Sequence, residues 1–220
     1  MSRRVVLIHA TPLAIGPIND AFARQWPEVE ISNLLDDALS VDRAKEKEIT
    51  PRIDSRIDSL VDYAVSIDAN AVLFTCSAFG SSIDASANSR TLPVLKPNEA
   101  MFEAALNQGE KIVMLATFAP AVAGMEQEFM ELATERHSNA KLKSYVVPGA
   151  REALSAGNSD EHNALIVAAA RQHEDADAIL LAHFSMEIAF ERVKAAVNCK
   201  VLSSPQTAVE KLKRIIESNE

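Results

Sequence analysis

Two similar halves, each an α/β unit built on a parallel sheet, are what this chain predicts, and three observations carry that prediction. Short apolar runs alternate with longer segments of helical period. The runs are apolar along their whole length, as in strands covered on both faces. The third observation is an imperfect internal repeat. Residues 68–77 (DANAVLFTCS) align with residues 175–184 (DADAILLAHF), 107 positions later, and Val94-Leu95 falls on Val201-Leu202 at the same offset. At an offset of 106, residues 6–11 (VLIHAT) fall on 112–117 (IVMLAT).

Residues 5–9 read as a buried strand, stopped by Thr11-Pro12, and 29–35 as a second, more alternating one. Ile49, Ile53, Ile57, Leu60, Ala64 and Ile67 recur at threes and fours, which predicts one long amphipathic helix over 45–67. Residues 71–75 form a third strand and Val94-Leu95 a very short fourth. Pro97 opens a helix to about Leu106, since proline suits the first helical turn. The second half repeats the grammar: strand 111–116, helix 119–136, strand 141–147 ended by Pro148-Gly149, helix 160–173 capped by Asp160 or Ser159, strand 178–182 and short strand 200–202. Ser204-Pro205 opens a last helix to about Glu217.

Eight strands in two sets of four predict two pseudo-symmetric lobes, each a four-stranded parallel sheet flanked by helices, with a site in the cleft between them. The first lobe takes residues 1–95 plus 204–220, its final helix packing back on it, and the second takes 96–203.

The 220 residues are 48% hydrophobic and 24% charged, with a net charge of −9. Nucleic acid and anionic membranes need a basic footprint and are excluded as partners. A small anion is not, because backbone N–H groups make a pocket locally positive. Ser2-Arg3-Arg4 leads into too few apolar residues for a signal peptide, and no run approaches a membrane span. The two cysteines make no disulfide scaffold. The expectation is a cytoplasmic protein whose thiols persist, with a homodimer the default assembly for a soluble enzyme.

In open parallel sheets ligands bind beyond the carboxyl ends of the strands. Four segments lie there: 9–12 (HATP), 75–80 (TCSAFG), 116–120 (ATFAP) and 182–186 (AHFSM). Each joins a strand end, a hydroxyl residue and a helix start, whose unpaired N–H groups suit a carboxylate. None contains Arg or Lys, so hydroxyls and amides are expected to hold the anion. Cys76 stands opposite His183 in the repeat, and both side chains move protons near neutral pH. Against that stands the blander reading of Cys76 as a small buried residue and of His183 as a group satisfying a carbonyl. Thr11 and Thr117, matched at the 106 offset, and Ser77 and Ser185 cap turns or contact ligand. His9 is a weaker substitute for His183. Asp36-Asp37 orient an ammonium group or a histidine, or, as such acids more often do, stay solvated or cap a helix. Cys199 reads as structural, and His137, His162 and His173 as surface residues. No metal spacing, dinucleotide or phosphate fingerprint, or nucleophile elbow occurs.

With Thr11-Pro12 after the first strand, Cys76-Ser77 after the third, Ala116-Thr117 in the second half and Ser203-Ser204-Pro205 before the last helix, the whole chain resembles the aspartate/glutamate/hydantoin racemase superfamily, which includes maleate isomerases and arylmalonate decarboxylases. The resemblance implies proton transfer at the carbon alpha to a carboxylate, without metal or organic cofactor, between two cysteines facing each other across the substrate. Cys76 matches the first cysteine; His183 stands where the second is expected. Thr11, Pro12, Ser77, Ala78, Thr117, Phe184 and Ser185 are the expected substrate-binding residues. The leading expectation is a cofactor-independent racemase or isomerase of a small carboxylic or amino acid, with Cys76 as thiolate base or nucleophile. A malonate-type decarboxylase and a non-catalytic carboxylate-binding protein are the alternatives.

Overall fold

The structure is a computed structural model that describes residues 3–46 and 48–218. The chain divides into two compact units, Met1–Pro97 with Ala208–Glu220, and Asn98–Thr207.

In the first unit, β1 (Arg4–His9) leads through a 3-10 turn at Pro12–Ala14 into α1 (Ile15–Gln25), followed by β2 (Glu30–Leu35), α2 (Ala38–Lys45) and α3 (Pro51–Ser66). Then come β3 (Ala71–Phe74), a 3-10 turn at Ser77–Phe79, α4 (Gly80–Asn88) and β4 (Val94–Leu95). The four strands are parallel, in the order β2-β1-β3-β4. Val5 to Ile8 and Ala71 to Phe74 are buried along their full length, as their unbroken apolar runs require.

The second unit opens with α5 (Glu99–Ala105), β5 (Lys111–Ala116), a 3-10 turn at Ala119–Ala121, α6 (Val122–Glu135) and β6 (Lys141–Val146). It continues through α7 (Ala150–Ser155), α8 (Ser159–Arg171), β7 (Ala178–Leu181), a 3-10 turn at Phe184–Ala189, α9 (Phe190–Ala196) and β8 (Lys200–Ser203). Its sheet is parallel with the order β6-β5-β7-β8. Val113, Leu115, Ile166, Ile179, Leu181, Met186 and Val193 form its core, with Cys199 packed at the margin. The last helix, α10 (Ser204–Ser218), starts in this unit and continues into the first. Among the described residues no helix is long and apolar enough to cross a membrane.

The two units repeat each other down to single hydrogen bonds. Asn70 Oδ1 accepts the Arg4 backbone N–H at 2.7 Å, and Asp177 Oδ2 accepts that of Lys111 at 2.8 Å. Val5 pairs with Ala71, and Ile112 with Ala178. The repeat therefore runs at an offset of 107 through the first strands too, and the apparent 106 match is a one-residue slip. Ala10, not Thr11, is the counterpart of Thr117, and Thr11 corresponds to Phe118. A one-residue slip in a strand exchanges its faces, so the correction decides which side chains are comparable.

The single long helix expected over 45–67 is broken. Proline has no N–H to donate and drives the preceding residue to extended geometry. Thr50 accordingly sits at ψ 154° and its hydroxyl caps Ile53 N–H at 3.4 Å, so α3 begins at Pro51. Its buried face is then Ile53, Ile57, Val61 and Ala64. The helix expected from Pro97 starts at Glu99, because Asn98 is fully buried and tied by its side chain to Ser204 and Met125. Helices α2 and α7, each following an outer strand, lie outside the periodic pattern. Gly149, at φ 75° in the left-handed region open to glycine, makes the sharp turn into α7.

Candidate active site

Cys76 and His183 each lie two residues beyond a buried central strand, β3 and β7, in extended backbone (φ −127° and −110°). Each occupies the cap position of the following 3-10 turn. Both are half-buried.

In the first unit Ser77 and Ala78 follow Cys76 and are buried; the Ser77 hydroxyl has no hydrogen-bond partner. The Ala78 carbonyl accepts from Arg43 Nε of α2 at 3.2 Å. Thr11 caps its turn weakly, accepting Leu13 N–H at 3.5 Å, and Pro12 is exposed. His9 is sealed inside. Its Nε2–H donates to Asn33 Oδ1 at 2.8 Å, which leaves Nδ1 to accept from the Thr75 hydroxyl at 2.8 Å. Burial holds His9 below the usual histidine range, with the Asn33 bond working the other way. With both nitrogens engaged and no exposed surface, His9 supports the strand end that carries Cys76 and does not substitute for His183.

In the second unit the Thr117 backbone N–H donates to His183 Nδ1 at 3.0 Å, and the Thr117 hydroxyl lies 3.2 Å from the same nitrogen. Nε2 is buried without a partner. The Arg151 guanidinium of α7 lies over the Phe118 ring, 4.2 Å from its centroid, in cation–π geometry. Burial, and secondarily the positive charge of Arg151, push the His183 imidazole down to about 4. Phe184 is 1% exposed and belongs to the core, whereas Ser185 is half-buried in the turn. Ser204 Oγ donates to Asn98 Oδ1 at 2.6 Å and lies 3.4 Å from the Ala182 carbonyl, bracing the residue before His183.

Several readings change. His162 is not a surface residue: it is fully buried on α8, with Nδ1 2.9 Å from Asn163 Oδ1, because it shares the inward face of that helix with Asn163, Ile166 and Ala170. His173 stacks on Tyr145 at 4.1 Å. Asp36 makes a two-pronged ion pair with Arg56 and so is neither a helix cap nor a histidine's partner. Cations do reach the strand-end segments, through Arg43 and Arg151. Both come from the short helices that follow the outer strands, so a search confined to the strand ends misses them. Burial raises the Cys199 thiol above its ordinary range. Among the described residues no group of three or more His, Cys, Asp or Glu is placed to hold a metal ion.

Neither a family model nor a curated relative matches the chain. Solved structures do. An aspartate racemase from Picrophilus torridus superposes with a TM-score of 0.75 over 98% of this chain and 95% of its own, at 14% identity. A glutamate racemase from Bacillus anthracis gives 0.73 over 99% and 82%, also at 14%. The fold is that of the aspartate/glutamate/hydantoin racemases. A liganded Gly74Cys-Cys188Ser mutant of arylmalonate decarboxylase shares this racemase fold, at a TM-score of 0.64 over the whole chain and 94% of its own, with 18% identity. At these identities the likeness is one of fold, and the racemase fold hosts more than one reaction.

Proposed function

We propose that the chain is a cofactor-independent enzyme, an isomerase of the racemase type, acting at the carbon alpha to the carboxylate of a small carboxylic or amino acid. Cys76, as thiolate, takes the alpha proton or adds to the substrate. His183, in the place of the second cysteine that the resemblance implies, acts on the same substrate. Thr11, Pro12, Ser77, Ala78, Thr117, Ser185 and neighbouring N–H groups form the binding surface, with Phe184 packed beneath it in the core. The observation that carries this reading is the equivalence of Cys76 and His183: the same step beyond the same strand, in two copies of one unit, within the racemase fold.

The chemistry demands little beyond what these residues supply. Removing a proton alpha to a carboxylate places charge on oxygen, and a preorganised donor aimed at that oxygen is worth about 3–4 kcal/mol. A positioned base adds about 10²- to 10⁴-fold. The protein's proposed setting is the cytoplasm, where a free thiol survives.

The test is solvent exchange. The purified protein is incubated in deuterated buffer with each enantiomer of aspartate and glutamate and with phenylmalonate, and label at the alpha carbon is followed by proton NMR. Loss of label in Cys76→Ala is expected; a Cys76→Ala protein that exchanges at the wild-type rate removes Cys76 from the reaction. A second reading, decarboxylation of a malonate-type acid, is favoured by the single thiol at the paired positions. Carbon dioxide release from phenylmalonate without exchange into the amino acids would select it.

A further inference from the structure

We infer that His183 works as a neutral hydrogen-bond donor through Nε2–H, not as a second proton carrier, so that proton traffic at the substrate runs over one face, through Cys76. The inference rests on the proton transfer at the alpha carbon proposed above; it keeps Cys76 as the carrier and replaces the inverting, racemase-type outcome of that reading with one-faced chemistry.

The argument starts from one hydrogen bond. A backbone N–H can only donate, and that of Thr117 points at His183 Nδ1 from 3.0 Å. The Nδ1 lone pair is thereby committed, with the Thr117 hydroxyl directed at the same atom. A neutral imidazole has one N–H, which must then sit on Nε2. Protonating Nδ1 would set two N–H groups against each other. Thr117 cannot easily yield, because it directly follows β5, whose last residue, Ala116, is fully buried and paired with Val146. The Arg151 guanidinium on Phe118, the residue after Thr117, further opposes a second positive charge. Its influence is felt at His183, whose imidazole stays neutral down to about pH 4. Nor can the neutral ring serve as a base, since Nδ1 is occupied and Nε2 already carries hydrogen. What remains is a buried N–H with no partner.

The step balances without a second carrier. The Cys76 thiolate takes the alpha proton and becomes a thiol. The C–H electron pair moves into the enolate, and the charge falls on a carboxylate oxygen. His183 Nε2–H donates a hydrogen bond to that oxygen and keeps its proton, as neutral imidazoles do when they polarise an oxygen. The thiol exchanges its hydrogen with solvent and returns it to the face it came from. Chemistry that needs one carrier is thereby selected: thiol-mediated isomerisation, or decarboxylation followed by protonation from one side. Inversion at the alpha carbon is not.

Two measurements decide it. In protein labelled with ¹⁵N-histidine, the His183 resonances, assigned by their loss in His183→Asn, should show a protonated Nε2 and an unprotonated Nδ1 at pH 7. With the amino-acid probes above, label should enter with retained configuration, and phenylmalonate in deuterated buffer should give a single enantiomer of alpha-monodeuterated phenylacetate. His183→Asn, whose amide can still donate, should keep exchange within about tenfold, whereas His183→Ala should lose about 10²- to 10³-fold. Both nitrogens protonated at pH 7, a proton on Nδ1, or inversion as fast as exchange would each overturn the inference. Absence of exchange and of decarboxylation with every probe, together with the expected ¹⁵N pattern, would overturn the proposed reaction, and the catalytic role of His183 with it, while leaving the tautomer established.

Discussion

The Thr117 backbone N–H lies 3.0 Å from Nδ1 of His183, so the main chain of one strand end sets the tautomer of a side chain on another. A sheet is a rigid source of fixed dipoles. Holding an imidazole against one costs nothing in rotamer freedom at the moment of reaction.

One consequence is a dependence of stability on pH. Unfolded, His183 takes up a proton near 6.5; folded, it resists down to about 4. Between those values the unfolded chain binds more protons, so stability is lost as pH falls. From pH 7 to pH 5 this single group is expected to remove about 2 kcal/mol. Urea unfolding at the two pH values should show that loss in the native protein, and a loss smaller by about that amount in His183→Asn. Equal slopes would contradict the cause assigned.

Arg151 contributes to the same depression. Arg151→Leu should move the His183 titration upward, toward 6.5, in ¹⁵N spectra. Because burial is the larger cause, the shift should be partial.

The two cysteines should separate cleanly. Cys199→Ala removes a half-buried side chain at the margin of a core and should leave alpha-carbon exchange within about twofold, at a stability cost of about 1 kcal/mol. Cys76→Ala should lower exchange by at least about 10²-fold with an unchanged circular dichroism spectrum. Exchange surviving in Cys76→Ala but not in Cys199→Ala would reverse the assignment.

His9 illustrates the cost of a broken buried pair. Thr75→Val removes the hydroxyl beside Nδ1 and leaves that nitrogen buried without a donor. Denaturant titration should show about 1–3 kcal/mol of destabilisation. Asn33→Leu leaves the Nε2–H without its acceptor, at a similar expected cost.

Gly109 has φ 151°, and a Cβ there would run into the Asp177 carboxylate that accepts the Lys111 N–H. Gly109→Ala should cost about 1–3 kcal/mol in the same titration, since strain and a displaced hydrogen bond add.

Both four-strand sets were legible because the central parallel strands are buried and apolar throughout, a pattern that needs no knowledge of neighbours; the order of the strands within each sheet was not. The matched positions of Cys76 and His183 were legible because a repeat compares the chain with itself. The slip between Thr11 and Thr117 shows the limit: two short apolar runs align as well at 106 as at 107, and only strand pairing settles the register. Arg43 and Arg151 were hidden for another reason. They lie on the short helices α2 and α7, eight and six residues long, which hold too few turns for a periodic signal. His162 looked like a surface residue because a polar type in a helix's first turn says nothing of which side is packed.

The matched clamps, Asn70 on Arg4 and Asp177 on Lys111, sit where the central strands begin, at the far end from the reactive groups. Each half thus carries its clamp at one pole and Cys76 or His183 at the other. A thiol and an imidazole hold corresponding places at the ends of two strands whose starts are fastened in the same way.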